Sequence, residues 1–459
     1  MPSIKDIIDE DKIFEILQKT SQPDVEKVRE ILNRALDKKG LAPEEAGYLI
    51  SVNDSQLLES IFATARQIKQ EIYGERLVFF APLYVSSHCV NNCRYCGFQR
   101  NHPAPRKKLT LEEVQEQVKI LEDMGHKRLL LEFGEDPLEN PIDYVTEVIK
   151  TIYQTKSGRG EIRRLNVNIA ATTIENYKKL KEANIGTYQL FQETYHQETY
   201  QKMHQGPKAD YSRQLFAHDR ALEAGLDDIG LGVLFGLYDW RFEVLALIFH
   251  AQYLDKKFGI GPHTISVPRW QPTAASDWQR APYEVSPEQL LKIIAILRIA
   301  VPYTGMIIST RESPQTRAEA FEVGISQTSS ASRTSPGGYG PEEKLSQFSI
   351  SDRRTIDETM LSILEQQLLP SFCTACYRLG RTGHGFMDFA KHSRIHNFCR
   401  PNGLLTFKEY LEDYASEEVK RLGLRVIDKY LEAIDDSQLK EETKKRLRQI
   451  ERGKRDLYF

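Results

Sequence analysis

Between Leu77 and Gln327 short apolar runs alternate with amphipathic stretches eight times, a rhythm that few architectures accommodate. The apolar runs expected to form strands are Leu77–Val85, Arg128–Phe133, Leu165–Ala170, Thr187–Phe191, Asp228–Phe235, Thr264–Pro268, Met306–Ser309 and Val323–Gln327. The helix-like stretches between them include Leu111–Met124, Ile142–Tyr153, Ile174–Ala183, Arg213–Ala224, Phe242–Phe258, Pro287–Ala300 and Gln315–Phe321. Strands that each feed an amphipathic helix pair in parallel, and eight such units over roughly 250 residues predict an α/β fold, a (β/α)8 barrel. In such a barrel catalytic groups gather at the C-terminal ends of the strands.

The flanks read differently. Residues 3–75 are helix-like, with an apolar stripe through Ile4, Ile7, Ile8, Ile13, Ile16 and Leu17, and with Ser51–Asp54 marking where another helix starts. Ser329–Gly340, rich in Ser, Gly and Pro, reads as a loop leaving the barrel, and residues 353–459 read as mostly helical. The expected units are an N-terminal helical extension over 1–75, the barrel over 76–340 and a C-terminal helical domain over 341–459. Acidic and basic residues nearly cancel, 65 against 62, and neither sign clusters over a domain. That balance argues against nucleic acid or a membrane surface as partner and favours a small-molecule substrate. The N-terminal residues lack the pattern of a secretory signal, and no apolar run approaches the roughly 20 residues needed to span a bilayer. A cytoplasmic setting is expected, in which thiols stay reduced and bind metals more often than they form disulfides.

All six cysteines fall into two triplets, Cys89, Cys93 and Cys96, and Cys373, Cys376 and Cys399. The first lies on a short loop directly after the first expected strand. Three thiolates so spaced can hold three corners of a 4Fe-4S cubane and leave the fourth iron open for chemistry. A zinc site completed by His88 is the alternative. In the second triplet two close cysteines sit on a turn and the third returns from a helical segment after 22 intervening residues. It can hold a second open cluster, or a zinc ion with help from His384, His392 or His396. At the ends of the seventh and eighth strands lie Ser309, Arg311 and Thr328. An arginine offers a bidentate fork for a carboxylate, and nearby hydroxyls can take an amino group, so these three are candidates for binding an amino acid. An ion pair between Arg311 and Glu312 is the plainer alternative.

Cys-x3-Cys-x2-Cys at this place in a barrel resembles the radical S-adenosylmethionine (radical SAM) superfamily. The resemblance implies that the first cluster chelates SAM through its open iron and that an electron cleaves SAM to methionine and a 5′-deoxyadenosyl radical. It further implies that Tyr95 packs near adenine, that Gly134 and Glu135 serve the SAM ammonium in a variant of a Gly-Gly-Glu segment, and that Glu193 and Arg220 serve its ribose and carboxylate. Phe133 replaces the first glycine of that segment, and Arg220 has a plainer reading as a helix-surface residue. With Cys-Thr-Ala-Cys-Tyr-Arg and the distant Cys399, the whole chain resembles the radical SAM tyrosine lyases that mature iron-iron hydrogenase.

That family implies cleavage of the Cα–Cβ bond of L-tyrosine to p-cresol and dehydroglycine, and conversion of dehydroglycine to carbon monoxide and cyanide at the second cluster. It also implies a labile extra iron joined through free cysteine and held by a barrel histidine, for which His263 is the candidate. The implied partners are an electron donor such as ferredoxin or flavodoxin and other hydrogenase maturases. A related reading, the 2-iminoacetate synthases of thiamine biosynthesis, shares the tyrosine cleavage but lacks the second triplet. Left open besides these are a non-enzymatic iron-sulfur carrier and a sulfur-inserting enzyme resembling biotin synthase, although the latter uses barrel cysteines that this barrel does not have to spare.

Overall fold

The computed structural model describes residues 3–273, 276, 278–340, 345–392 and 395–459. Residue 341, where the C-terminal domain is expected to begin, lies outside them. Eight parallel strands form the centre: β1 (Arg76–Ser86), β2 (Arg128–Phe133), β3 (Arg164–Asn168), β4 (Thr187–Gln189), β5 (Asp228–Gly232), β6 (Thr264–Ser266), β7 (Gly305–Ile308) and β8 (Gln327–Ser329). Each pairs with the next, and β8 returns to β1 with Val78 opposite Gln327 and Phe80 opposite Ser329, which closes the barrel.

The eighth strand lies later than its apolar run suggests. Val323 is the last residue of the helix Pro314–Val323, buried on its inner side, and the strand begins only at Gln327. The stretch expected as one helix over Arg213–Ala224 is two, Tyr211–Leu215 and Ala217–Glu223, meeting at Phe216.

Side chains alternate along each strand, so every second residue enters the barrel. This builds three levels. At the N-terminal mouth, Val78, Arg128, Gly305 and Gln327 line one cavity. At the middle, Phe80, Leu130 and Ile307 pack on one another as a small apolar cluster apart from the main core. Towards the C-terminal mouth, Tyr84, Glu132, Asn168, Ser309 and Ser329 line a second cavity.

Five helices precede the barrel, from Ile4–Ile7 to Ser55–Tyr73. Asp9, Asp24 and Asp54 cap three of them by accepting backbone N–H bonds, which satisfies donors left free in a first helical turn. Two buried lysines tie this extension to the barrel helices. Lys292 donates to the Ile50 carbonyl at 2.7 Å, and Lys69 to the Phe321 carbonyl at 2.9 Å.

The C-terminal part contains a strand that no sequence signal suggested. β9 (Leu369–Ser371) pairs parallel with the lower half of β1, with Arg76 opposite Leu369, while β2 takes over higher up, from Ala81 opposite Leu129. The second triplet is thereby carried to the N-terminal mouth, with Cys373 two residues past the end of β9.

His126, just before β2, is fully buried and neither ring nitrogen has a hydrogen-bond partner among the described residues. Burial, with a smaller contribution from Lys127, pushes its pKa down to about 3. Because the folded value lies below the unfolded value of about 6.5, this histidine subtracts stability as pH falls from 6.5 towards 3, by about 2 kcal/mol at pH 5. In His126→Leu the loss of unfolding free energy between pH 7 and pH 5 should be smaller by about that amount. Anaerobic urea unfolding at the two pH values checks it, and an unchanged pH dependence would refute it.

Candidate functional site

At the C-terminal mouth, β1 ends at Ser86 and the next residues form the loop that carries Cys89, Cys93 and Cys96. The loop is pinned through its backbone: Val90 N–H donates to the Glu135 carbonyl at 2.7 Å, Asn92 N–H to Gln205 at 3.0 Å and Arg94 N–H to Met203 at 3.1 Å. Gly134 lets it come this close, because a Cβ there would stand 2.3 Å from the His88 carbonyl oxygen. The three thiols line one cavity together with Tyr95, Gly134, Glu135, Glu193 and Lys208.

Polar contacts within this cavity are specific. Glu135 receives Asn91 Nδ2 at 2.6 Å and Arg213 at 2.5 Å, and Lys208 Nζ donates to Glu193 Oε1 at 2.8 Å. Glu193 adopts φ 68°, a left-handed conformation uncommon outside glycine and concentrated at functional sites. Tyr95 is held by its hydroxyl. His204 Nδ1 lies 2.7 Å from the Tyr200 carbonyl, which can only accept, so Nε2 accepts from Tyr95 Oη at 2.8 Å. His204 is kept neutral by burial, its pKa pushed down to about 3. Arg220 stands apart, donating to the Thr172 and Arg213 carbonyls. It is Arg213 that reaches Glu135.

The adjoining cavity is lined by Cys96, Tyr95, Glu132, Glu193, Ser309, Arg311 and Phe348. Arg311 lies 3.2 Å above the Phe348 ring, and no side-chain hydrogen bond or ion pair engages its guanidinium among the described residues. Its five donors are therefore available to a carboxylate guest. The alternative pairing with Glu312 is not formed, since Glu312 takes Arg269 Nε at 3.0 Å. Ser309 lines the cavity, but Thr328 does not. Thr328 Oγ1 donates to the Ile308 carbonyl at 3.0 Å and accepts from Arg317 at 2.8 Å, outside the barrel. Strand alternation explains the correction: Gln327 and Ser329 face inward, so the residue between them faces out.

Sequence reasoning missed Glu132. Burial raises its pKa to about 8, against opposing contributions from Asn168 and Arg311. A single carboxylate in the apolar strand Arg-Leu-Leu-Leu-Glu-Phe, in step with Arg128 and Leu130, was the available signal.

At the opposite mouth, Cys373, Cys376 and Cys399 line a cavity with Arg76, Arg128, His263, Tyr377 and Phe386. Cys376 sits in the short helix Ala375–Arg378 and Cys399 in the helix His396–Asp413. Of the histidines considered, only His263 shares the lining with these thiols among the described residues; His392 is exposed and paired with Asp388, and His384 lies against Gly259. His88 likewise does not line the first cavity.

Each triplet borders one shared cavity, the arrangement that a cubane held by three thiolates would need. Burial pushes the Cys96 thiol up to about 11 and Cys376 to about 12, so these thiols are protonated at neutral pH until a metal displaces the protons.

The model of the Radical SAM superfamily matches residues 83–247, and that of the Biotin and Thiamin Synthesis associated domain matches 266–368, ending just before Cys373. The 2-iminoacetate synthase of Salmonella typhimurium is 33% identical over 340 residues, 73% of this chain and 88% of its own length. The crystal structure of HydG, a maturase of the [FeFe]-hydrogenase, superposes with TM-score 0.97 at 55% identity, covering 99% of this chain and 100% of that one. The chain belongs to the HydG family of radical SAM lyases. The HydG structure from Carboxydothermus hydrogenoformans agrees, with TM-score 0.86 and 40% identity over 97% of this chain and all of its own. Both HydG neighbours extend through the region of the second triplet, beyond the part matched by the two family models.

Arg311 yields a direct prediction for this enzyme. Arg311→Lys keeps the charge and loses the planar fork, so KM for the amino-acid substrate should rise by roughly ten- to hundred-fold with kcat less affected. Steady-state kinetics check it, and an unchanged KM would exclude Arg311 from substrate binding.

Proposed function

We propose that this enzyme cleaves the Cα–Cβ bond of L-tyrosine to p-cresol and dehydroglycine, and converts dehydroglycine to carbon monoxide and cyanide for assembly of the [FeFe]-hydrogenase active site. The observation that carries this reading is the pair of cysteine triplets at opposite mouths of one barrel, the first beside a cavity with a free arginine. A tyrosine lyase of the 2-iminoacetate type has use for the first triplet alone.

Cys89, Cys93 and Cys96 would hold a 4Fe-4S cluster, and with SAM bound it supplies the 5′-deoxyadenosyl radical that removes a hydrogen atom from the substrate amine. Tyr95, locked through His204, gives a fixed aromatic face for adenine, while Gly134, Glu135 and Glu193 border the place for the rest of SAM. Arg311 takes the tyrosine carboxylate and Ser309 lies beside it. Cys373, Cys376 and Cys399 would hold the second cluster, and His263 would hold an extra, labile iron joined through free cysteine. The product is an iron-carbonyl-cyanide unit. The barrel walls keep the reactive imine from water between the two places.

The protein works in the cytoplasm, with an electron donor such as ferredoxin or flavodoxin and with other hydrogenase maturases. No helix among the described residues is long and apolar enough to cross a membrane. The helical extension, barrel and C-terminal domain act as support, lyase and cluster-bearing units respectively.

Anaerobic reconstitution with iron and sulfide, followed by incubation with SAM, dithionite and tyrosine, tests the reading. Expected are 5′-deoxyadenosine, p-cresol, carbon monoxide and cyanide. 5′-Deoxyadenosine without p-cresol would reject tyrosine as substrate. p-Cresol without carbon monoxide or cyanide would favour the 2-iminoacetate reading, and absence of SAM cleavage would favour a cluster carrier.

A further inference from the structure

His263 is placed by more than its neighbours in sequence. Its backbone N–H donates to the Ile229 carbonyl at 2.9 Å, and its carbonyl accepts from Gly305 N–H at 2.8 Å, so the main chain is fixed between β5 and β7. The ring lies 4.1 Å from the ring of Phe386, and its Nδ1 is 3.3 Å from Asp228 Oδ1. Asp228 is the first residue of β5 and only 1% exposed. The same Oδ1 accepts Gly383 N–H at 3.1 Å, at the start of the helix Gly383–Lys391 that carries Phe386. Its other oxygen, Oδ2, and His263 Nδ1 are both buried without a hydrogen-bond partner among the described residues, so Nδ1 faces the carboxylate at 3.3 Å without closing a hydrogen bond in this geometry. Next to it Asp227 receives the Thr382 hydroxyl at 3.3 Å.

We propose that Asp228 is a positioning residue that turns His263 so that Nε2 is presented to the chamber of Cys373, Cys376 and Cys399, and that it couples this orientation to docking of the helix Gly383–Lys391. With Nδ1 set against a carboxylate, Nε2 is the ring nitrogen left for a metal. A carboxylate behind a histidine fixes the tautomer and the ring plane, and losing such a partner costs roughly ten- to hundred-fold in metal affinity. Because the barrel carboxylate also holds the helix that follows Cys376, imidazole and thiols share one frame: a shift of the helix moves Phe386 and takes the Gly383 N–H from Asp228, and so loosens the support of the ring.

This inference rests on the proposed role of His263, and the test separates the two. Full-length Asp228→Asn and Asp228→Glu are reconstituted anaerobically beside the unaltered enzyme and titrated with iron(II) in the presence of free cysteine. Iron per chain and the EPR spectrum of the second cluster are read, together with p-cresol formation. Expected for Asp228→Asn is retention of both clusters and of p-cresol formation, with the extra iron held roughly ten- to hundred-fold more weakly. Asp228→Glu, which keeps the charge but displaces it by one methylene, should fall between the two and covers the case in which Asp228→Asn does not fold. Extra iron held as in the unaltered enzyme by both variants overturns the proposal, and so does loss of the second cluster along with it, which assigns Asp228 to docking alone. An unaltered enzyme that takes up no extra iron would instead refute the role of His263.

Discussion

Cys93→Ala is expected to abolish 5′-deoxyadenosine and p-cresol together, whereas Cys376→Ala should leave both and remove carbon monoxide and cyanide. The reason is positional. Cys93 belongs to the loop after β1 and shares its cavity with Glu193 and Lys208. Cys376 lies at the other mouth, with the layer of Phe80, Leu130 and Ile307 between the two levels. Under the proposed assignment each triplet would give one thiol per iron to three irons, so losing any one would leave a cubane corner without its ligand. Among the described residues neither loop lines the other cavity, so each loss should stay local. Product analysis with SAM, dithionite and tyrosine, alongside iron and sulfide content, measures this. Loss of p-cresol in Cys376→Ala, with the first cluster still assembled, would sink the division of labour.

Asp352→Ala is expected to destabilise the protein by about 3–5 kcal/mol, the range for breaking one side of a buried ion pair. Asp352 and Arg317 have fully buried side chains and are paired, while Arg354, 22% exposed, reaches the same carboxylate at 2.7 Å. Without Asp352, Arg354 can turn to water. Arg317 cannot, and it keeps only the Thr328 hydroxyl and the Ser329 carbonyl. A buried guanidinium short of its counter-charge carries the penalty. The double variant Asp352→Leu/Arg317→Met should recover most of the loss, because an apolar pair of similar volume removes the charge as well. Chemical unfolding of the three proteins decides it, and a loss under about 1 kcal/mol in Asp352→Ala would show that water reaches Arg317. Since Arg317 also holds the end of β8, the single variant should disturb the cavity that Ser329 lines.

Much of this molecule can be read along the chain. The eightfold alternation marked the closed barrel, and Cys-x3-Cys-x2-Cys after its first strand marked the chemistry at its mouth. The errors have physical causes. Val323 and Ile325 look like strand because buried apolar residues recur in both periods; Val323 ends a helix. Thr328 was one residue out of register, enough on a strand to turn a side chain from the cavity to Arg317. Arg220 and Arg213 both follow the fourth strand, and only packing shows which of them meets Glu135.

Spacing and periodicity alone determined the barrel, the grouping of the thiols into two sets and the family resemblance, because these depend on order along the chain. Only the folded chain decided that the two sets face opposite ends of one barrel. β9, three residues long, places the second set there by pairing with the lower half of β1 across almost 300 residues of sequence. The same holds for the meeting of His263, Asp228 and Gly383, for the opening of Arg311 into a cavity and for the burial that lifts Glu132. Distance, solvent exclusion and side-chain direction arise from packing between segments remote in the chain, and no local pattern encodes them.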